Sequence, residues 1–145
     1  MADQTPDFAD WRAICNVKAD YCRLLDTKQW DAWAELFTPD CVFDTTDSGG
    51  TKVEGAAQMV GFVRESLAGA KTTHHVHQPQ MTFDGPDAAD VVWAMQDRVI
   101  KDTFDLSGTG HYHERFVRTP QGWRIASQTL TRLILDINPK AVTSG

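Results

Sequence analysis

The sequence predicts one α+β domain in which a curved, cone-shaped sheet wraps around N-terminal helices. Up to Leu67 the apolar residues recur mainly every three or four positions, whereas from Thr72 onward they alternate. Helices followed by strands indicate helices packed on one face of a sheet. No repeat, linker or change of composition divides the 145 residues. We therefore expect a single domain over residues 1–145, with its core at about 10–137.

The first helix is predicted to begin after Thr5-Pro6-Asp7, which supplies a cap, a proline for the first turn and an acid. The apolar positions that recur at helical spacing and define its expected buried face are Phe8, Trp11, Cys15, Ala19, Cys22 and Leu25. The chain has three cysteines and no C-x-x-C spacing. We expect all three to be small buried apolar side chains in a reducing compartment.

A second, shorter helix is predicted over residues 28–37, capped by Thr27 and ended by Thr38-Pro39-Asp40. Next come a strand at 41–46, a turn at 47–50, a pairing strand at 51–54 and a third helix at 56–67.

Four long extended segments complete the chain, separated by short turns rich in Asp, Gly and Pro. They are residues 74–83, 88–102, 109–119 and 122–137, with turns at 84–87, 105–108 and 119–122, and residues 140–145 are expected to be a frayed tail. Four consecutive strands joined by short turns predict an antiparallel meander. A sheet of this length curled around a helix leaves a cone with an open end, so we expect a pocket.

Composition and motifs exclude several classes of function. The chain has 14 Lys and Arg against 20 Asp and Glu, a net charge of −6, which argues against nucleic acid as a partner. No apolar run is long enough to span a membrane, and no signal segment begins the chain, so we expect a cytoplasmic protein. The motifs of nucleophile-elbow hydrolases, P-loop proteins, zincins and dinucleotide-binding domains are absent from the sequence.

Asp97 is the most informative single position. Strict alternation places this carboxylate on the same strand face as Trp93, Met95 and Val99. If that face is buried, the acid must pair, be protonated or face a cavity. The alternative is that the opposite face, with Val92, Ala94 and Ile100, forms the core and Asp97 is solvated.

Three further polar residues lie in apolar segments. Asp26 ends the first helix, where the helix dipole raises the pKa of a carboxylate unless a cation compensates. It either leads into the turn or points into the cone to orient an imidazole. Arg132 is a cation in an apolar strand, where it either pairs with a buried acid or holds an anionic or carbonyl group of a ligand. Tyr21, on the first helix, is expected to pack with its hydroxyl at the surface.

All five histidines lie in two short strings, His74-His75-Val76-His77 and His111-Tyr112-His113. Two H-x-H pairs on neighbouring strands could form a metal site from His75, His77, His111 and His113. The alternative is a histidine base that works without metal, oriented by a carboxylate.

Five segments taken together resemble one known family. They are the stretch from Tyr21 to Asp31, the Thr73-His74-His75-Val-His-Gln-Pro string, Gln96-Asp97-Arg98, the Gly110-His-Tyr112-His-Glu-Arg-Phe string and Gly122-Trp123-Arg124. The family is the SnoaL-like branch of the nuclear-transport-factor-2-like superfamily, and the resemblance runs from about Asp10 to Ile137. Similar members include scytalone dehydratase, a hexachlorocyclohexane dehydrochlorinase and bile-acid dehydratases, which are cofactor-free lyases on a cone-shaped α+β barrel.

The resemblance implies a carboxylate–imidazole dyad of Asp26 and His74, in which His74 is the general base. It further implies that Tyr21 and Asp97 position or protonate a departing oxygen and that Arg132 anchors a polar group of the substrate. We expect Trp93, Tyr112 and His75 to complete the substrate pocket.

The partners expected from the resemblance are a small hydrophobic cyclic substrate and a second or third copy of the chain. The resemblance implies no metal and no other cofactor. An apolar second face on the long strands also favours a homodimer or homotrimer. The superfamily contains steroid isomerases, polyketide cyclases and proteins whose pocket has no known chemistry. The alternatives to a dehydratase are therefore an isomerase, a cyclase or a non-catalytic ligand-binding protein.

Strand alternation and the resemblance disagree at the histidine string. Alternation places His75 and His77 on the side of Met81 and Phe83, whereas the resemblance selects His74. A bulge around Gln78-Pro79 would reconcile the two by switching faces, since proline cannot donate to a strand ladder. Otherwise the Met81 side packs against another subunit and His75 is the base.

Overall fold

A computed structural model describes residues 6–139 of the chain; Thr5 and the predicted tail at 140–145 lie outside the described residues. The helices are α1 (Phe8–Asp26), α2 (Trp30–Ala34) and α3 (Ala56–Ser66). The strands are β1 (Phe37–Asp44), β2 (Lys52–Glu54), β3 (Lys71–Phe83), β4 (Ala88–Lys101), β5 (Phe104–Thr119) and β6 (Gly122–Pro139). Among the described residues, no helix combines the length and apolar character needed to cross a membrane.

The sheet has the strand order β2-β1-β6-β5-β4-β3. The four long strands β3 to β6 form the predicted antiparallel meander, while β1 pairs in parallel with β6 and antiparallel with β2. The predicted α+β class, with helices on one face of a curved sheet, is confirmed. The turn expected at 105–108 is wrong, because β5 already begins at Phe104 and pairs with β4 from Lys101.

Helix α1 is capped by Asp7, whose side chain accepts from the backbone N–H of Asp10 at 3.1 Å, while the Asp10 side chain accepts from the N–H of Asp7. Its buried residues are Ile14, Lys18, Tyr21 and Leu25. The predicted apolar face is wrong at Phe8, which is 72% exposed, at Trp11, which is 40% exposed, and at Ala19; Leu25 is buried as expected, and Cys15 and Cys22 are half-buried against the core. The cause is a buried lysine, which hydrophobic periodicity counts as a surface residue.

The region around Pro39 also differs from the prediction. Helix α2 ends at Ala34 and β1 starts at Phe37, so the proline lies inside a strand. Strand β1 pairs with β6 at Phe37 and again from Val42, and the register shifts between these two points. Pro39 is tolerated there because an interrupted ladder needs no donor from it. Thr27, predicted to cap the second helix, instead caps the end of α1 by donating from Oγ1 to the Arg23 carbonyl at 2.8 Å.

Strand β3 contains the predicted bulge. Its register against β4 shifts between His77 and Gln80, and Gln78 has a positive φ of 48°. The shift switches the face presented by alternate residues. His74 is consequently buried on the same side as Met81, while His75 is exposed on the opposite side.

The core fills the space between α1 and the inner face of the sheet. Aromatic rings dominate it: Trp33 and Phe37 lie 4.9 Å apart between ring centroids, and Tyr21 packs against both. Cys41 is buried, Cys15 and Cys22 are half-buried, and all three are free. The outer sheet face carries His77, His111 and His113 beside Val92 and Ala94, so it is mixed rather than apolar. The oligomeric state stays a prediction.

Candidate active site

Asp26 and His74 form the centre of the candidate site. Asp26 is the last residue of α1, and His74 lies on the inner face of β3. The His74 ring contacts Asp26 from Nδ1 to Oδ1 at 2.6 Å, and its backbone N–H donates to Oδ2 at 2.8 Å. Both carboxylate oxygens are thus held by the same strand residue, which fixes the carboxylate relative to the ring.

The environment of Asp26 favours its ionised form. Burial raises the pKa of this carboxyl group, but the hydrogen bonds and charge of His74, together with the Thr72 hydroxyl, outweigh burial and lower the pKa below its ordinary value. Thr72 Oγ1 donates to Oδ1 at 2.9 Å, and Lys28 Nζ donates to Thr72 Oγ1 at 2.6 Å. These donors overcome the effect of the helix dipole at this position.

The geometry defines the reactive nitrogen of His74. A carboxylate can only accept, so in the neutral ring the proton lies on Nδ1 and the lone pair on Nε2. Among the described residues Nε2 has no hydrogen-bond partner. Since His74 lines the cavity described next, Nε2 is the ring nitrogen free to act on a ligand.

The cavity has two connected chambers. The deep chamber, of about 140 Å³, is lined by Tyr21, Leu25, Phe43, Thr45, Phe62, Val63, Ser66, Leu67, His74, Asp97, Tyr112, Gln128 and Leu130. The entrance chamber, of about 410 Å³, adds Ser48, Gly49, Gly50, Val99, Phe104, Leu106 and Arg132. His74 and Asp97 lie where the chambers join, on walls that are mainly apolar.

Asp97 and Arg132 form a paired group on this wall. Arg132 donates from Nη1 and Nη2 to the two Asp97 oxygens at 2.7 and 3.0 Å, and from Nε to Ser48 Oγ at 3.0 Å. The Arg132 side chain is 7% exposed and that of Asp97 6%. Of the two faces of β4 left open by the sequence, the Trp93 side is the buried one, and Arg132 is the partner that burial of Asp97 requires.

Gly108 makes room for this pair. A Cβ atom at residue 108 would overlap Arg132 Nη1 and lie 2.9 Å from Asp97 Oδ1. We expect Gly108→Ala to displace the pair and to lower the free energy of unfolding by about 1–3 kcal/mol, because a well-packed site accepts an added methyl group only by moving. Urea unfolding of the variant and the wild type measures this difference.

Gly61→Ala is the matched control. This glycine lies inside α3, and nothing is within 4 Å of the added Cβ. Alanine is the better helix former, so this change should stabilise the protein by roughly 0.5–1 kcal/mol. If Gly108→Ala shifts stability in the same direction as the control, the close packing of Arg132 does not constrain residue 108.

The deep chamber ends at two tyrosines. Contrary to expectation, Tyr21 is buried at its hydroxyl, which donates to Gln128 Oε1 at 3.1 Å. Burial, and the nearby Glu114 charge, raise the pKa of Tyr21 and of Tyr112 well above the usual value for a phenol. Both hydroxyls therefore stay protonated at neutral pH.

Sequence analysis missed a buried ion pair beneath the tyrosines. Lys18 Nζ donates to Glu114 Oε2 at 3.1 Å, and both side chains are fully buried. The ammonium group lies 3.6 Å from the ring centroid of Tyr21 and 3.9 Å from that of Tyr112. Two signals were present: Lys18 is one helical turn before Tyr21, and Glu114 alternates with the inward-facing Tyr112 on β5.

Two residues predicted to line the pocket lie elsewhere. Trp93 is buried in the core, where its ring packs against Phe116 at 6.5 Å between centroids. His75 is exposed on the outer face, with Nδ1 3.3 Å from Gln96 Nε2. Of the residues proposed to bind substrate, Arg132 and Tyr112 line the cavity.

The four-histidine metal site is not assembled. His75 and His77 lie on β3 and His111 and His113 on β5, and strand β4 separates the two pairs, with Ala94 between His77 and His111. Within residues 6–139, no three His, Cys, Asp or Glu side chains come together in an arrangement that could hold a metal ion.

Comparison with known proteins matches residues 6–129 to the model of the SnoaL-like domain family. A curated relative is the "Probable cyclase FGR4" of Gibberella zeae, 24% identical over 133 residues that cover 83% of this chain and 89% of the relative. Solved structures confirm the fold. A Novosphingobium aromaticivorans protein assigned as a scytalone dehydratase has a TM-score of 0.82 at 18% identity, covering all of this chain and 99% of the other.

Two further structures are similar. A type 2 hexachlorocyclohexane dehydrochlorinase, LinA, has a TM-score of 0.78 at 15% identity, covering 92% of this chain and 90% of its own. An NTF2-like protein from Novosphingobium aromaticivorans, described as having a cystatin-like fold, has a TM-score of 0.72 at 22% identity, covering 86% of this chain and 82% of the other.

Proposed function

We propose that this protein, which belongs to the SnoaL-like domain family, is a cofactor-independent lyase of the dehydratase type. Its substrate is a hydrophobic cyclic molecule with an acidic C–H beside a carbonyl and a hydroxyl leaving group. One observation carries the proposal: a histidine held through Nδ1 by a half-buried carboxylate leaves its free Nε2 in a mainly apolar cavity.

In this mechanism His74 Nε2 takes the proton from carbon, and Asp26 stabilises the imidazolium that forms. Arg132 binds the carbonyl oxygen, whose negative charge grows as the C–H bond breaks. The departing hydroxyl receives the proton held by His74 and leaves as water, so that one proton is taken and returned. Asp97 holds Arg132 in place and accepts rather than donates, because both its oxygens accept from the guanidinium.

The chamber walls support the hydrophobic character of the proposed substrate. The apolar residues that line the deep chamber with His74 are Leu25, Phe43, Phe62, Val63, Leu67 and Leu130. Apolar walls with a few fixed polar groups bind the body of a ligand by burial and orient it by hydrogen bonds. They also exclude water, which strengthens the attraction between Arg132 and a developing oxyanion.

The test is a deuterium-exchange screen. Cyclic ketones and thioesters are incubated in D₂O with wild type, with His74→Ala and with His75→Ala, and deuterium uptake and loss of water are followed by mass spectrometry. We expect His74→Ala to slow exchange by about 10²–10⁴-fold. His75→Ala is the matched control, since that ring lies on the outer face and should leave the rate unchanged. Exchange by His74→Ala at the wild-type rate, or wild type that binds a compound with an acidic C–H without exchanging it, would overturn the mechanism.

A cyclase is the second candidate, favoured by the similarity to the Gibberella zeae relative. Proton abstraction beside a carbonyl also begins an aldol-type ring closure, so the same His74 and Asp26 would serve. The screen separates the two activities by product: a dehydratase releases water from a ring already closed, whereas a cyclase converts an open chain into a ring.

A further inference from the structure

Lys28 lies behind the Asp26–His74 pair and lines neither chamber of the cavity. Its half-buried side chain reaches the pair through Thr72: Lys28 Nζ donates to Thr72 Oγ1 at 2.6 Å, and Thr72 Oγ1 donates to Asp26 Oδ1 at 2.9 Å. An ammonium group can only donate and an ionised carboxylate can only accept, so both neighbours fix the direction of the Thr72 hydroxyl. The series ends at His74 Nδ1, which lies 2.6 Å from the same carboxylate oxygen.

The backbone conformation at Lys28 favours glycine over lysine. Helix α1 ends in a Schellman motif, in which the N–H of Gln29 donates to the Leu24 carbonyl at 2.9 Å and that of Lys28 to the Leu25 carbonyl at 3.1 Å. Lys28 occupies the left-handed position of this motif, with a φ of 60°, where glycine is the usual residue. The end of the helix therefore does not require a lysine, and a lysine in a disfavoured conformation points to a role for its side chain.

Lys28 supplies a positive charge for Asp26 while His74 is neutral. In that state the carboxylate is ionised beside an uncharged ring, at the end of α1 where the helix dipole opposes its charge. Lys28 Nζ is two hydrogen bonds away from Asp26 and also donates to the Leu25 carbonyl at 3.4 Å, so it offsets both the carboxylate and the negative end of the helix. Burial lowers the pKa of Lys28, and the Asp26 charge acts in the opposite direction by raising it.

The same cation acts against the protonated ring. When His74 takes up a proton, its imidazolium carries a second positive charge near Asp26 and is repelled by the Lys28 ammonium. Lys28 therefore favours the state of the pair in which the ring is neutral and its Nε2 can accept a proton.

We infer that Lys28 is a positioning residue: it orients the Thr72 hydroxyl toward Asp26 and, as the counter-ion of that carboxylate, keeps His74 neutral down to a lower pH than the pair would reach without it. Its role in turnover rests on the proposed function, in which His74 is the base. Its effect on the protonation of His74 does not depend on turnover.

Other charged or titratable groups face the pair or Lys28 from the elements packed around them. They are Tyr21 and Cys22 on α1, Asp31 on α2, Arg64 on α3, Asp97 on β4, Tyr112 on β5 and Arg132 on β6. Asp97 and Arg132 compensate each other, and the two tyrosines stay protonated. Burial raises the pKa of the Cys22 thiol to about 11, and Asp31 and Arg64, of opposite charge, line the surface groove beside Lys28. A change at residue 28 alters the charge near the pair and leaves these groups in place.

The test is an NMR titration of ¹⁵N-labelled protein, in which the imidazole nitrogens report the pH at which His74 takes up its proton. Lys28→Gly removes the ammonium and should fold, because the turn favours glycine. We expect its His74 midpoint to move up by about half to one pH unit. Lys28→Arg keeps the charge and should keep the wild-type midpoint. Lys71→Gln is the matched control, since this exposed lysine precedes Thr72 on β3 and its charge is screened by solvent.

Deuterium exchange with a compound found by the screen adds a second readout. Below the midpoint, Lys28→Gly should exchange about threefold to tenfold more slowly than wild type, because less of its His74 is neutral. At higher pH, where the ring is neutral in both proteins, the difference should disappear. A merely structural role of Lys28 would lower the rate by the same factor at every pH.

An unchanged His74 midpoint in Lys28→Gly overturns the inference, as does an equal shift in Lys71→Gln or a loss of rate that is independent of pH. Lys28→Asn is the second variant should Lys28→Gly not fold, because asparagine also tolerates the left-handed conformation. Failure of the proposed function is a separate result: a shifted midpoint in a protein that exchanges no compound would leave the effect of Lys28 on His74 in place and remove only the role of His74 as the base.

Discussion

Asp26→Asn is expected to slow proton abstraction by about 10³–10⁴-fold while leaving ligand affinity nearly unchanged, by analogy with the same change beside a protease histidine. The new side chain has the shape of the old one, and its orientation is determined by the backbone. The N–H of His74, which now donates to Oδ2 at 2.8 Å, cannot turn, so the amide oxygen must face it. The amide NH₂ then faces the imidazole.

That orientation reverses the tautomer of His74. An N–H placed where Oδ1 now lies donates to Nδ1, so Nδ1 must carry the lone pair and Nε2 the proton. The nitrogen in the cavity would no longer be a base. The rate of deuterium exchange with a compound found by the screen, at saturating and at limiting concentration, separates the loss of rate from any loss of binding.

Thr72→Val is the control for this effect. It removes the hydroxyl that donates to Asp26 Oδ1 at 2.9 Å but keeps the carboxylate and hence the tautomer. We expect a loss of only about tenfold or less, the size of one supporting hydrogen bond. If Asp26→Asn were no slower than Thr72→Val, Asp26 would not set the tautomer of the reacting base.

Several features of this site could be predicted from the sequence. Strict alternation on β4 groups Asp97 with three large apolar residues, so that its burial was one of two alternatives, and the structure selects it. The disagreement at His74 is resolved by the bulge at Gln78 and Pro79, which local chemistry predicts, since proline cannot donate to the ladder. Asp26 and His74 are far apart in sequence, so their pairing was predicted from the family resemblance and not from periodicity.

The features that sequence analysis missed have one physical cause in common. Lys18 and Glu114 are charged, so a hydrophobic pattern assigns each to the surface, yet each is buried because the other is present. The error turned the predicted face of α1 toward Phe8 and Trp11. Trp93 was placed at the ligand for a related reason: alternation gives the face of a residue but not its depth, and this ring lies deep in the core.

The buried pair leads to the largest expected effect on stability. Lys18→Met should lower the free energy of unfolding by about 3–5 kcal/mol, because it leaves the Glu114 carboxylate buried without its cation. Glu114 Oε1 already has no hydrogen-bond partner among the described residues, so after this change the carboxylate keeps only the neutral Gln128 amide as a donor, to Oε2 at 2.7 Å. Urea unfolding, followed by the fluorescence of the buried tryptophans, measures the loss.

A double-mutant cycle identifies the cause. In Glu114→Gln the Lys18 ammonium still contacts the ring faces of Tyr21 and Tyr112, at 3.6 and 3.9 Å from their centroids. Burial already lowers the pKa of Lys18, so this group can also lose its proton and become neutral. This single change should therefore cost less than Lys18→Met. In the double variant, residue 114 still accepts a hydrogen bond from Gln128, and no charge is buried. This variant should therefore recover most of the lost stability, with a coupling energy of roughly 2 kcal/mol or more. Additive losses would instead mean that Lys18 stabilises the fold through its packing between the tyrosine rings and not through its charge.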